Sequence, residues 1–158
     1  MAIIVDEDTK VLVQGITGRE ASEKISEMLK YGTNVVAGVT PGKGGQEVEG
    51  VPVYDTVEEA LNQHPEINTS LIYVPPFAAK DAVLEALEKG IKTLNVITER
   101  IPTRDTWKIY QRVEEEDATM VGPTSVGIIT PGECKLGPKG GNEPKKVYRP
   151  GKVRVISK

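Results

Sequence analysis

The stretch Val11-Leu-Val-Gln-Gly-Ile-Thr-Gly-Arg-Glu-Ala21 restricts the fold more than any other part of this 158-residue chain. An apolar run stops at Gly15, a second glycine follows at Gly18, and a helical pattern begins at once. A βαβ unit presents a phosphate-binding turn in this way. Gly15 can take backbone angles closed to other residues, and Gly18 leaves room for a ligand against the backbone. The free N–H groups and positive dipole end of the following helix favour an anion. The fingerprint Gly-x-Gly-x-x-Gly/Ala is met only loosely, because Thr17 stands where the central glycine belongs. A plain tight turn is the competing reading.

Short β-rich runs alternate with helical patterns along the rest of the chain. Residues 11–14, 34–39, 70–74, 92–97 and 119–121 read as buried strands. Between them Ala21, Ile25, Met28 and Leu29 share one helical face. So do Ala79, Val83, Ala86 and Leu87, and later Ile109, Tyr110 and Val113. Asp55-Thr-Val-Glu58 and Thr56-Val-Glu-Glu59 both have capping-box spacing, which predicts a helix starting near residue 56. Gly32 and Gly90 stand where helix C-caps belong.

This alternation predicts an α/β fold, a Rossmann-like, doubly wound and mostly parallel sheet in a single domain over residues 1–127. An irregular loop or hairpin extension is expected over 128–152. Residues 153–158 read as a terminal strand or the start of a further domain. The net charge of −3 gives no reason to expect nucleic acid or an anionic membrane as partner. No run approaches the length of a membrane span. The single cysteine, Cys134, excludes an internal disulfide and fits a reducing cytoplasm.

Ligands of such sheets bind beyond the carboxyl ends of the strands, so the strand tips carry the functional reading. After the second strand comes Gly38-Val-Thr-Pro-Gly-Lys-Gly-Gly45. It is not a P-loop, because the glycine spacing is one short and Gly44 replaces the magnesium-binding hydroxyl. Lys43 is either a solvated lysine on a flexible loop or an anion contact. An NAD site would place a carboxylate here for the ribose hydroxyls. With Lys43 instead, a phosphorylated ribose fits better, as in coenzyme A or NADP. The third tip, Tyr73-Val-Pro-Pro-Phe77, has an extended path set by Pro75 and Pro76. Tyr73 and Phe77 either pack into the core or, with Pro75, flank an adenine. The fourth tip ends in Ile97, Thr98 and Glu99, and the fifth is Gly122-Pro-Thr-Ser-Val-Gly127.

Taken together, these tips resemble one family. Gln14-Gly-Ile-Thr-Gly18, Tyr31-Gly-Thr, Gly38-Val-Thr-Pro-Gly-Lys-Gly-Gly45, Gly50-Val-Pro-Val-Tyr54, Ile72-Tyr-Val-Pro-Pro76, Ile97-Thr-Glu99 and Ile129-Thr-Pro-Gly-Glu-Cys134 occur in the right order. The chain is similar to the N-terminal, coenzyme A-binding half of the succinyl-CoA ligase α subunit, from about Ile4 onward. The resemblance implies that Thr17, Gly18, Arg19 and Glu20 bind the coenzyme phosphates. It also implies that Lys43 and the Ile97, Thr98 and Glu99 segment contact the coenzyme. A nucleotide-binding β subunit is the implied partner. Arg19 and Glu20 depart from the small or amide residues common in the family.

Gly122-Pro-Thr-Ser-Val-Gly127, Gly137-Pro-Lys-Gly-Gly and Tyr148-Arg-Pro-Gly151 are also similar to ATP-citrate lyase, which leaves the acid substrate open. The family's phosphohistidine lies in a second domain, so acyl-CoA synthesis is not expected of these residues alone. The sole histidine, His64, reads as a solvent-exposed residue at a helix end, and Cys134 as part of a structural loop. A stand-alone coenzyme A module and an NADP-dependent oxidoreductase are the competing classes. The second is opposed by the missing central glycine and by the lack of an acid–base pair.

Overall fold

The computed structural model describes residues 3–141 and 143–157. Its elements in chain order are β1 (Lys10–Gln14), α1 (Arg19–Tyr31), β2 (Asn34–Val39), β3 (Glu47–Val48), β4 (Val51–Tyr54), α2 (Val57–Gln63) and β5 (Thr69–Ile72). Then follow α3 (Ala79–Glu88), β6 (Thr93–Val96), α4 (Thr103–Glu115), β7 (Thr119–Val121), β8 (Ile128–Thr130), β9 (Cys134–Leu136) and α5 (Pro144–Val147). Seven strands form one sheet in the order β3-β4-β2-β1-β5-β6-β7. All pairs are parallel except β3 with β4. The chain builds outward from β1 through β2 to β4, then returns to the other side of β1 with β5. The order therefore reverses between β1 and β5, which is the topological switch point of a doubly wound sheet.

Alternation along each strand divides the core in two. Leu12, Ile72, Leu94 and Val96 point to the face covered by α2, α3 and α4, where they meet Val57, Val83, Leu87 and Ile109. Val11, Val13, Leu71 and Ile97 point to the opposite face, against Ile25 and Met28 of α1 and Cys134 and Leu136 of β9. The helix ends follow their local signals. Thr56 caps α2 by accepting from the Glu59 N–H at 3.1 Å. Gly32 closes α1 in the left-handed region, and Gly90 does the same just beyond α3.

Three expectations need correction. Tyr110 is exposed while Ile109 and Val113 are buried; it lies at the margin of the apolar stripe, and its hydroxyl donates to the Gly122 carbonyl at 3.2 Å. His64 does end α2 but is not free in solvent. Its ring lies edge-on to Tyr54, its Nε2 is 3.1 Å from the Tyr54 hydroxyl, and its Nδ1 is 3.5 Å from Glu66. Residues 153–157 form no strand. Val153, Val155 and Ile156 are exposed, and no described strand lies alongside to complete a ladder. Lys158 lies outside the described residues.

The β8–β9 hairpin is tied to α1 by a buried polar cluster. Lys135 is fully buried, and its ammonium donates to Glu27 at 3.2 Å and to the Gly137 carbonyl at 2.9 Å. Glu27 also accepts from Lys24 at 2.6 Å. The Thr33 hydroxyl donates to the Lys135 carbonyl and accepts from its N–H. Burial pulls the Lys135 pKa down. Burial acts to raise Glu27, but hydrogen bonds from Lys24 and Lys135 outweigh it and hold the carboxyl below its ordinary 4.5. A carboxylate depressed by folding stabilises the native state fully above its unfolded pKa, and this is lost as pH falls through the folded value. The parent chain should therefore lose stability below about pH 4.5 more steeply than Glu27→Gln, as measured by denaturant unfolding across pH. Parallel profiles for the two chains would remove Glu27 from the acid transition.

Candidate functional site

The β1–α1 turn is shaped by its two glycines in different ways. Gly15 has φ +84°, and a Cβ there would lie 3.0 Å from the backbone of Tyr73 and Val74. The fold itself requires this glycine. Gly18 instead has φ −67°, which any residue adopts. It is exposed, and a Cβ there would meet only the Gly15 carbonyl at 3.2 Å. What Gly18 keeps clear is space outside the chain, at the N-cap of α1. No side chain caps that helix, so the first-turn N–H groups of Arg19, Glu20 and Ala21 are left for another acceptor. A thirteen-residue helix opening on a bare glycine suits a phosphate.

The other tips are stitched to this turn in a row. The Gly15 N–H donates to the Val39 carbonyl at 2.7 Å, and the Tyr73 N–H donates to the Gln14 carbonyl at 2.9 Å. The Thr17 hydroxyl lies 3.2 Å from that of Thr40, at the root of the Lys43 loop. The Ile97 N–H donates to the Ile72 carbonyl at 3.1 Å, and the Thr98 hydroxyl to the Val74 carbonyl at 2.8 Å. Thr17, Gly18, Arg19, Glu20, Lys43, Tyr73, Pro75, Ile97, Thr98 and Glu99 thus all stand at the carboxyl ends of β2, β1, β5 and β6, flanking the switch point.

Within this row the side chains differ in availability. Lys43 is exposed and forms no ion pair among the described residues. The exposed Arg19 reaches Glu23 at 3.6 Å. Glu20, Pro75 and Glu99 are exposed. Ile97 is buried in the core beneath α1 and the hairpin, and the hydroxyl of buried Thr98 is occupied. Neither side chain presents a free polar group at the tip.

Tyr73 packs on the same core, with its hydroxyl buried and without a hydrogen-bond partner. Burial, and then the charges of Glu20 and Glu27, raise its pKa. Its hydroxyl end lies against Gly137, just past the hairpin. Phe77 is 79% exposed at the same tip. Cys134 is buried, and burial pushes its thiol up to about 11, far from a reactive thiolate. No group of acidic, histidine and cysteine side chains suited to a metal ion occurs among the described residues. No described helix is long and apolar enough to cross a membrane.

Two participants were not foreseen. Thr40 joins the first tip to the second. Asp55, at the end of β4, accepts from the Gly44 N–H at 2.9 Å. Its place in a capping-box pattern was visible, but the strand that carries it was not.

A glycine-gated helix N-terminus at the switch point and a free lysine on the neighbouring β2 tip define a Rossmann-like domain for a phosphorylated nucleotide ligand. The family model for the CoA binding domain matches residues 6–100, and the chain belongs to that family. Its cofactor is coenzyme A, whose anionic phosphates suit the uncapped first turn beside Gly18 and the free Lys43.

Across its whole length the chain is 54% identical to succinate–CoA ligase [ADP-forming] subunit alpha 2 of Archaeoglobus fulgidus, covering 53% of that protein. It is 50% identical to the corresponding alpha subunit of Aquifex aeolicus, covering 51% of it. The chain thus spans about half the length of the curated relatives it matches. Among solved structures, ATP citrate lyase from Methanothrix soehngenii, in complex with citrate and coenzyme A, superposes with a TM-score of 0.83 at 24% identity. The match covers 94% of this chain and 27% of that one, and it establishes the fold.

Proposed function

We propose that this chain is the coenzyme A-binding part of the α subunit of an ADP-forming succinate–CoA ligase, working in the cytoplasm with a nucleotide-binding β subunit. Identity of 54% across the whole of this chain with about half of such a subunit carries the reading. The division into a coenzyme-binding domain over 1–127 and an extension over 128–152 belongs to the same proposal.

In this reading the backbone from Thr17 to Glu20 holds phosphate at the α1 N-terminus, and Lys43 meets the 3′-phosphate. Pro75, Tyr73 and the 97–99 segment shape the groove, and Glu99 offers it an acceptor. Coenzyme A, when bound, supplies the thiol that takes up an acyl group. The residues present here orient it and hold it by its charged end, which is catalysis by proximity. The phosphohistidine and the nucleotide site would come from other parts of the assembly.

Calorimetry with coenzyme A, 3′-dephospho-coenzyme A and NADP tests the reading. A well-formed contact to a charged group contributes about 1.5–3 kcal/mol, so coenzyme A should bind roughly tenfold or more tighter than its dephospho form. NADP should not bind. Equal affinity for both coenzyme forms would remove Lys43 from the 3′-phosphate, and failure to bind coenzyme A at all would sink the assignment.

A further inference from the structure

Residues 41–47, at the end of β2, are exposed throughout. Three of them are glycine, two in the left-handed region at φ +77° and +84° (Gly42 and Gly45). A segment of this composition loses a great deal of backbone freedom when it orders. Lys43 can act as a preformed phosphate contact only if something other than its own sequence holds the loop.

Most of the restraint is backbone. The Thr40 N–H donates to the Tyr54 carbonyl at 3.0 Å, the Lys43 N–H to Thr40 at 3.0 Å, and the Gly45 N–H to Val53 at 3.0 Å. The Val53 N–H donates back to Gln46 at 2.9 Å. At the crown, beside Lys43, one side chain takes over: an Asp55 carboxylate oxygen accepts from the Gly44 N–H at 2.9 Å.

The identity of residue 44 carries the same message. Gly44 lies outside the left-handed region, so its backbone angles do not demand glycine. A Cβ built on it would fall 2.7 Å from the second oxygen of Asp55. The carboxylate, not the backbone, is what a side chain here would have to displace. Asp55 is itself well anchored: β4 runs parallel to β2 with Tyr54 beside Val39, the Asp55 N–H donates to Glu59 at 3.1 Å, and Thr56 begins α2. The crown of the loop is therefore tied to the rigid β4–α2 junction.

We propose that Asp55 is a positioning residue that holds the Lys43 loop in its ligand-ready shape, and so sets the preference for a 3′-phosphorylated coenzyme. The inference rests on the reading of Lys43 as the 3′-phosphate contact. Asp55 does not touch the ligand in this account. It fixes the Gly44 amide, and through it the neighbouring lysine, so that less ordering is left to the moment of binding.

The test uses the chain as it stands and measures affinity for coenzyme A and for 3′-dephospho-coenzyme A by calorimetry. Asp55→Ala should weaken coenzyme A about fivefold, in line with one net hydrogen bond, and leave the dephospho form within about twofold. Asp55→Asn, whose amide oxygen can still accept from Gly44, should restore the parent ratio. Gly44→Ala should narrow the ratio by itself and add nothing in the Asp55→Ala background, as expected for residues acting as one unit. If Asp55→Ala weakens both ligands equally, its role is merely structural and the proposal fails. It fails too if Lys43→Ala collapses the ratio while Asp55→Ala leaves it intact. A ratio untouched by Lys43→Ala would instead overturn the reading of Lys43, and the Asp55 inference with it.

Discussion

Gly18→Val is expected to reduce coenzyme A affinity by roughly a hundredfold or more, because its side chain would displace phosphate from the helix N–H groups. The unfolding midpoint should stay close to that of the parent. The separation of effects follows from the geometry of the two turn glycines. Gly18 has φ −67° and ψ 145°, an extended conformation that β-branched residues favour. A Cβ there needs only a slight adjustment of the Gly15 carbonyl, 3.2 Å away. The same change at Gly15 would drive a side chain into the Tyr73 backbone and would lose the fold along with the ligand. Thermal unfolding with calorimetry on the same preparation checks the result. A folded Gly18→Val chain that binds coenzyme A normally would move the phosphate site away from this turn.

Glu27→Ala should be among the most destabilising single changes. It strips the fully buried Lys135 ammonium of its carboxylate, leaving the Gly137 carbonyl as its remaining hydrogen-bond acceptor. Removing one partner of a buried pair costs about 3–5 kcal/mol, and partial exposure of Glu27 places this case near the low end. A loss of about 3 kcal/mol corresponds to a midpoint lowered by roughly 6–12 °C in a chain of this size. Replacing both residues, as Glu27→Leu with Lys135→Met, should recover most of that loss, since an apolar pair leaves no charge uncompensated. Denaturant unfolding of the single and double variants gives the coupling directly. A double variant no better than Glu27→Ala would show that the hairpin depends on the charges themselves.

The parallel strands and their flanking helices were legible because buried strands and amphipathic helices leave different periods in the chain. The strand tips were legible for the same reason, once the strands were placed. What escaped was whatever is decided by partners distant in sequence. The β3–β4 ribbon is short and carries Pro52 and Gly50, so nothing local marks it; it exists because β2 offers β4 an edge. Tyr73 could be assigned to the strand tip but not to one side of the sheet, since its position depends on a hairpin some sixty residues later, around Gly137. His64 lost its expected freedom to Tyr54, a neighbour supplied by that same unforeseen strand. Residues 153–157 show the opposite error, in which strand propensity without pairing to any described strand produces no strand.

The hairpin roof over the second core face bears on where this domain ends as a unit of folding. The matched family region stops at residue 100, yet Val11, Val13, Leu71 and Ile97 share a core with Cys134 and Leu136. Thr130 also reaches back to the Val5 carbonyl at the start of the chain. A polypeptide cut at the family boundary would uncover the part of that sheet face beneath the hairpin and would lack the edge strand β7. If that shared core makes sheet and hairpin open together, amides of β9 should exchange with solvent on the same timescale as those of β1 rather than as a separately opening flap.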